Sequence, residues 1–144
     1  MKYSNEVIIK QPLDRVIELF DSEENLFKWQ PELISFEHVS GEKGQVGAKS
    51  KLKYKMGKRE VEMIETVTVK DLPREFSGTY EAKGVWNEVK NYFEVIDENT
   101  TKWHSDCQFE FSGFMKIIAF FMPDTFIKQS QKYLNQFKAF AEGE

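Results

Sequence analysis

One cysteine, two histidines and four prolines are all that this 144-residue chain has of those residue types, and its longest apolar stretch, Phe114 to Met122, is interrupted by Lys116. Each scarcity excludes something. Cys107 has no partner for an intrachain disulfide, so packing alone must hold the fold. His38, His104 and Cys107 are too few and too scattered to build the first shell of a zinc-type site, and no metal or other cofactor is expected. The apolar stretch falls far short of the roughly 20 residues that cross a bilayer, although a helix of that kind can lie on a membrane surface. The start MKYSNEV has no apolar core to direct secretion, which together with the unpaired cysteine gives an expected cytoplasmic location. Acidic residues outnumber basic ones 24 to 20, and a net charge of −4 offers no general attraction for phosphates, so nucleic acid is not an expected partner.

What the chain does have is phenylalanine, 13 in all, with 40% hydrophobic residues overall. That is enough apolar surface for one sizeable core, and residues 1–144 are expected to form a single domain. Lys2 to Lys10, with Val7, Ile8 and Ile9, reads as a first strand stopped by Pro12. Val16, Ile17, Leu19 and Phe20 then recur at helical spacing up to Asp21. A second short helix is predicted from Ser22, a good N-cap with Glu23 and Glu24 in the first turn, to Lys28, before Pro31.

From Leu33 the period changes to two. A strand to Ser40 leads into the turn-rich Gly41 to Gly47, whose glycine spacing and following strand do not fit a phosphate-binding loop. In Ala48 to Met56, four lysines alternate with Ser50, Leu52, Tyr54 and Met56, giving one wet and one covered face. Arg59 to Lys70 places Val61, Met63, Glu65, Val67 and Val69 together. A bulge near Ile64 is expected to turn Glu65 to solvent; without it, Glu65 faces inward. Glu75 to Ala82 follows, with Phe76, Gly78, Tyr80 and Ala82 on one side. In Val85 to Ile96 the inward set is Val85, Asn87, Val89, Asn91, Phe93 and Val95, because the opposite register would bury three charges. Thr101 to Phe111 sets Trp103, Ser105, Cys107, Phe109 and Phe111 against His104 and Asp106. Helical pattern then runs from Phe114 to Met122, breaks near Pro123, and resumes through Phe126, Ser130, Leu134, Phe137 and Ala141.

The segments VIIKQPLDRVIELF, NLFKWQPEL, GEKGQVGAKSKLKY, ETVTVKDLPREF, NYFEVIDENTTKW and KQSQKYLNQFKAFAE, taken in order, resemble the START-like, polyketide cyclase/dehydrase-like proteins of the SRPBCC superfamily. The resemblance implies an α+β helix-grip (START/Bet v 1-like) fold. In it a curved antiparallel sheet of about seven strands, with two short helices after the first, is crossed by a long C-terminal helix over a cavity. It does not fix a reaction, since this fold serves carriers and enzymes alike.

No nucleophile is expected to meet a base. His104 lies on the wet face of its strand, while Ser105 and Cys107 lie on the covered one. The one weak catalytic candidate is Glu65, whose carboxyl would titrate high if it faced an apolar cavity. Trp29, Tyr54, Tyr80, Trp103, Phe109, Phe114, Ile118, Phe121, Met122 and Phe126 are the expected apolar wall of a ligand site, with Asn87 and Asn91 as its polar groups. These residues favour a protein that binds a hydrophobic or amphiphilic small molecule, with transport as a further role of the same cavity. The alternatives are a cyclase/dehydrase-like enzyme using Glu65 as acid and base, and an interaction module, monomeric or homodimeric, docking through Phe120 and Phe121.

Overall fold

The computed structural model describes all 144 residues. Its elements run β1 (Lys2–Ile9), α1 (Leu13–Phe20), α2 (Glu23–Trp29), β2 (Leu33–Ser40), β3 (Lys49–Met56), β4 (Arg59–Asp71), β5 (Glu75–Ala82), β6 (Val85–Asp97), β7 (Thr100–Phe111), α3 (Phe114–Phe121) and α4 (Pro123–Glu142). All seven strands form one antiparallel sheet in the order β1-β7-β6-β5-β4-β3-β2. Consecutive strands pair as hairpins from β2 to β7, and β1 closes the other edge against β7.

Local chemistry accounts for the element ends. The Ser22 hydroxyl accepts from the Asn25 amide at 3.2 Å and caps α2, with Glu23 and Glu24 in the positive first turn. Pro123 opens α4, where a missing amide hydrogen costs nothing. Gly78 is needed for a different reason. A side chain there would sit 2.8 Å from the Thr66 carbonyl, because β4 bulges between Val67 and Val69 and brings its backbone close.

The core fills one half of the concave face. Phe137 and Ala141 of α4 are completely covered, and Phe137 meets Trp29, Trp103 and Phe20 at ring-centre separations of 5.2, 5.3 and 5.7 Å, all edge to face. Val7, Ile9, Val16, Leu19 and Phe93 complete this cluster. Edge-to-face packing places ring hydrogens against the negative faces of their neighbours and adds to the burial energy. The helix is then fixed laterally by polar contacts to β1. The Tyr3 hydroxyl donates to the Phe126 carbonyl at 3.0 Å and lies 2.5 Å from Ser130 Oγ. The Asn5 amide donates to Gln131 at 2.9 Å, and Lys138 Nζ reaches the Ile8 carbonyl at 2.6 Å. A smaller cluster of Leu33, Leu52 and Tyr54 lies on β2 and β3, with Met63, Tyr80 and Tyr133 against it.

Three expectations are corrected. The bulge falls after Glu65, at Val67–Val69, so Glu65 stays on the concave face and Val69 instead pairs with Ser77. Val95 and Met56, expected to be covered, are exposed at the strand ends, beyond the reach of the helices. The third concerns α3. Ala119 is its one buried residue, and Met115 and Ile118 flank that face. At 100° per residue, Phe120, Ile117, Phe121 and Phe114 occupy the opposite arc and are exposed, at 79, 54, 74 and 73%. Met122, between the helices, is 53% exposed. Phe114, Phe121 and Met122 therefore do not line the interior.

Replacing Phe137 by Ala is expected to cost about 3–5 kcal/mol in urea unfolding, the range for deleting a fully buried aromatic ring. The double change Phe120→Ser, Phe121→Ser is expected to leave unfolding stability within about 0.5 kcal/mol per site, because neither ring is packed.

Candidate functional site

In an antiparallel sheet, directly opposed residues share a face, so strand register assembles rows that sequence alone leaves apart. One row crosses the concave face from His38 on β2 through Ser50, Glu65, Tyr80 and Asn87 to Phe109 on β7. The rows beside it hold Val67, Gly78, Val89, Cys107 and Tyr3 on one side, and Leu52, Met63, Val85 and Phe111 on the other. The four lysines of β3 lie on the outer face, where Lys53 reaches Glu60 and Glu62 and Lys49 donates to Thr66 Oγ1.

This half of the face differs from the aromatic core. Tyr80, Asn87, Val89, Phe109, Phe111 and Phe126 each keep part of their surface open to water. The backbone of α4 runs close along β1, and no comparably close approach to β4 or β5 occurs. Phe126 does reach across to Phe109 and Phe111, at 5.2 and 4.9 Å between ring centres. Tyr80 is at once partly open to water and strongly desolvated by the protein around it, which raises its hydroxyl well above the usual range. Its hydroxyl is thus shielded by the protein while part of the residue stays open to water.

The electrostatics of the row follow from its surroundings. Burial pushes the Glu65 carboxyl above its ordinary value, and the neighbouring Tyr80 hydroxyl, hydrogen bonding to the charged form, pulls more weakly the other way. Burial also raises Tyr54 and Tyr133, and the charge of Glu65 adds to the rise at Tyr54. The Asn87 amide nitrogen donates to the Gln108 carbonyl at 3.1 Å, which fixes the amide and leaves Oδ1 without a protein partner.

The sequence-based site thus divides. Tyr80, Asn87, Phe109 and Phe126 come together on this half of the face, with Ile118 half-buried on α3 above them. Trp29 and Trp103 belong to the filled core. Tyr54 is buried and donates to Gln30 at 2.6 Å. Asn91 is also buried and accepts from the Trp103 indole at 2.9 Å, so its carbonyl is already engaged. Sequence reading overlooked Tyr3, Ser50, Met63 and Tyr133. Alternation along β1 and β3 carries the signal for the first two, but the long-range neighbours of Met63 and Tyr133 have no local trace. On the outer face, His104 Nε2 pairs with Asp106 at 2.6 Å, across the sheet from Ser105 and Cys107.

No protein-family model matches the chain, and no curated protein matches it in sequence. Solved structures do match its shape. Ara h 8.0201 superposes with a TM-score of 0.77 at 14% identity, covering 100% of this chain and 99% of that one. The Zhui aromatase/cyclase from Streptomyces sp. R1128 gives 0.78 at 15%, covering 99 and 93%. A START superfamily protein from Mycobacterium smegmatis gives 0.73 at 10%, covering 96 and 98%. The chain therefore has the helix-grip fold shared by these START- and Bet v 1-like structures. No helix in it is long and apolar enough to cross a membrane.

Two outcomes follow. An acid whose folded pKa is raised stabilises the fold most when protonated. That contribution is present below the ordinary 4.5 and lost as pH climbs through the folded value. Glu65→Gln is therefore expected to gain stability over the parent as pH goes from 4 to 8 in denaturant unfolding series. Asn91→Leu is expected to destabilise by about 1–3 kcal/mol, since it leaves the Trp103 indole N–H buried without an acceptor.

Proposed function

We propose that residues 1–144 act as a single domain that binds a hydrophobic or amphiphilic small molecule in the recess between β4–β7 and the α3–α4 arm. The observation that carries this reading is the partly open aromatic surface on the concave face, around a row of polar groups whose hydrogen-bonding capacity the protein itself does not use up. Apolar area buried on a guest contributes about 25 cal/mol per Å², and the polar row gives orientation. The break between α3 and α4 at Met122–Pro123 is the natural place for the arm to move.

A second reading rests on the same row. The Glu65 carboxyl, desolvated and beside Tyr80, is suited to exchange a proton with a bound substrate, as in a cyclase/dehydrase-like enzyme. Turnover retained by Glu65→Gln would remove it.

The container reading is tested by filling the container. Val89 lies in the row beside Asn87, opposite Gly78, where no side chain competes for space. Val89→Trp is expected to fold with a melting temperature within a few degrees of the parent. It should weaken saturable binding of the fluorescent apolar probe N-phenyl-1-naphthylamine at least tenfold. Unchanged probe binding, or a variant that unfolds because the space is already filled, overturns the assignment. Native mass spectrometry of protein taken from its source is the route to the natural guest.

A further inference from the structure

The concave face carries an acid for which the protein supplies no cationic partner. Glu32, the other carboxylate near the tyrosines, has Lys132 Nζ at 2.9 Å. Glu65 has no cation within 4 Å, and its one polar neighbour is the Tyr80 hydroxyl. The register explains why. Opposite Glu65 stand Ser50 on β3 and Tyr80 on β5, and along its own strand on this face stand Met63 and Val67. Every lysine of β3 is on the other side of the sheet. In such surroundings burial favours the neutral acid, and a cation that comes to it would hold it ionised.

The groups around Glu65 also suit a cation. Tyr80 and Tyr54 present rings and oxygens, and Tyr133 packs 6.3 Å from Tyr54 between ring centres. Ring faces attract an ammonium group, most strongly where water is thin. One position beyond Tyr80 in the row, Asn87 Oδ1 is turned away from its backbone partner and accepts nothing from the protein. A primary ammonium has three hydrogens to donate and an apolar stem to bury, which matches an acceptor pair set in an aromatic wall.

Resting on the container reading, we propose that the guest is an amphiphilic amine, whose protonated nitrogen pairs with Glu65 beside Tyr80, on the side of Asn87, and whose apolar body lies against Phe109 and Phe126. A guest ending in a carboxylate is disfavoured, because it would place a second negative charge beside the first. A guest ending in a hydroxyl keeps the hydrogen bonds and loses the charge pairing.

The test compares three probes of one shape by titration calorimetry at pH 7.5 and low salt: 2-(2-naphthyl)ethylamine, 2-(2-naphthyl)ethanol and 2-naphthylacetic acid. The amine is expected to bind at least tenfold more tightly than the alcohol, and the acid most weakly. In Glu65→Gln the amine should fall to within about twofold of the alcohol, whose own affinity should stay within about twofold of its value in the parent. The probe comparison itself needs no variant, so it stands even if Glu65→Gln folds poorly. Equal binding of amine and alcohol overturns the amine assignment and leaves the container intact. So does tighter binding of the acid, or an amine preference that survives Glu65→Gln. Failure of all three probes to bind overturns the container reading and this inference together.

Discussion

The aromatic cluster around Phe137 is the constraint on which the rest of this structure depends. Phe20, Trp29, Phe93, Trp103 and Phe137 are wedged together under the C-terminal half of α4, and they fill one half of the curved sheet completely. A close-packed plug of rings does not compress, so its thickness sets how far the helix stands from the strands. The hydroxyl of Tyr3 and the amide of Asn5 then stop the helix from sliding off β1. Beyond the plug α4 makes no comparably close approach to β4 or β5, and the aromatic residues there keep part of their surface open to water.

The division of labour among polar groups follows from that geometry. Among the groups packed with the plug, Asn91 satisfies the Trp103 indole and Thr101 Oγ1 donates to the Gln11 carbonyl. Those beyond it, Glu65, Tyr80 and Asn87, lie where the helix no longer reaches down. They keep hydrogen-bonding capacity, and Glu65 has no ion-pair partner. Two asparagines four residues apart on one strand, Asn87 and Asn91, thus have opposite fates because the edge of the plug runs between them.

Helix α3 shows the same logic from outside. Only Ala119 and its neighbours touch the body, so an almost wholly apolar helix leaves Phe114, Ile117, Phe120 and Phe121 in solvent. The hydropathy of the segment had suggested burial. A helix eight residues long has one contact face, however, and nothing else in the fold covers the other.

Much of the fold was legible in the residues. Period-two alternation between turns marked the strands from β2 to β7, the run Val7 to Ile9 before Pro12 marked β1, Ser22 marked α2, and Pro123 divided the last two helices, because these are local effects of backbone geometry and capping. The inward set of β6 was also readable, since the wrong register would bury charges. Glu65 marks the limit. Its orientation depends on whether a bulge precedes or follows it, and the close approach of Thr66 to Gly78, a contact between strands, places the bulge after it. The row from Ser50 to Phe109 is likewise a product of pairing register. The sequence by itself determined which faces are apolar and where the chain turns; only the tertiary structure decided which apolar face is filled and which is left open, because a gap is set by the distances between elements.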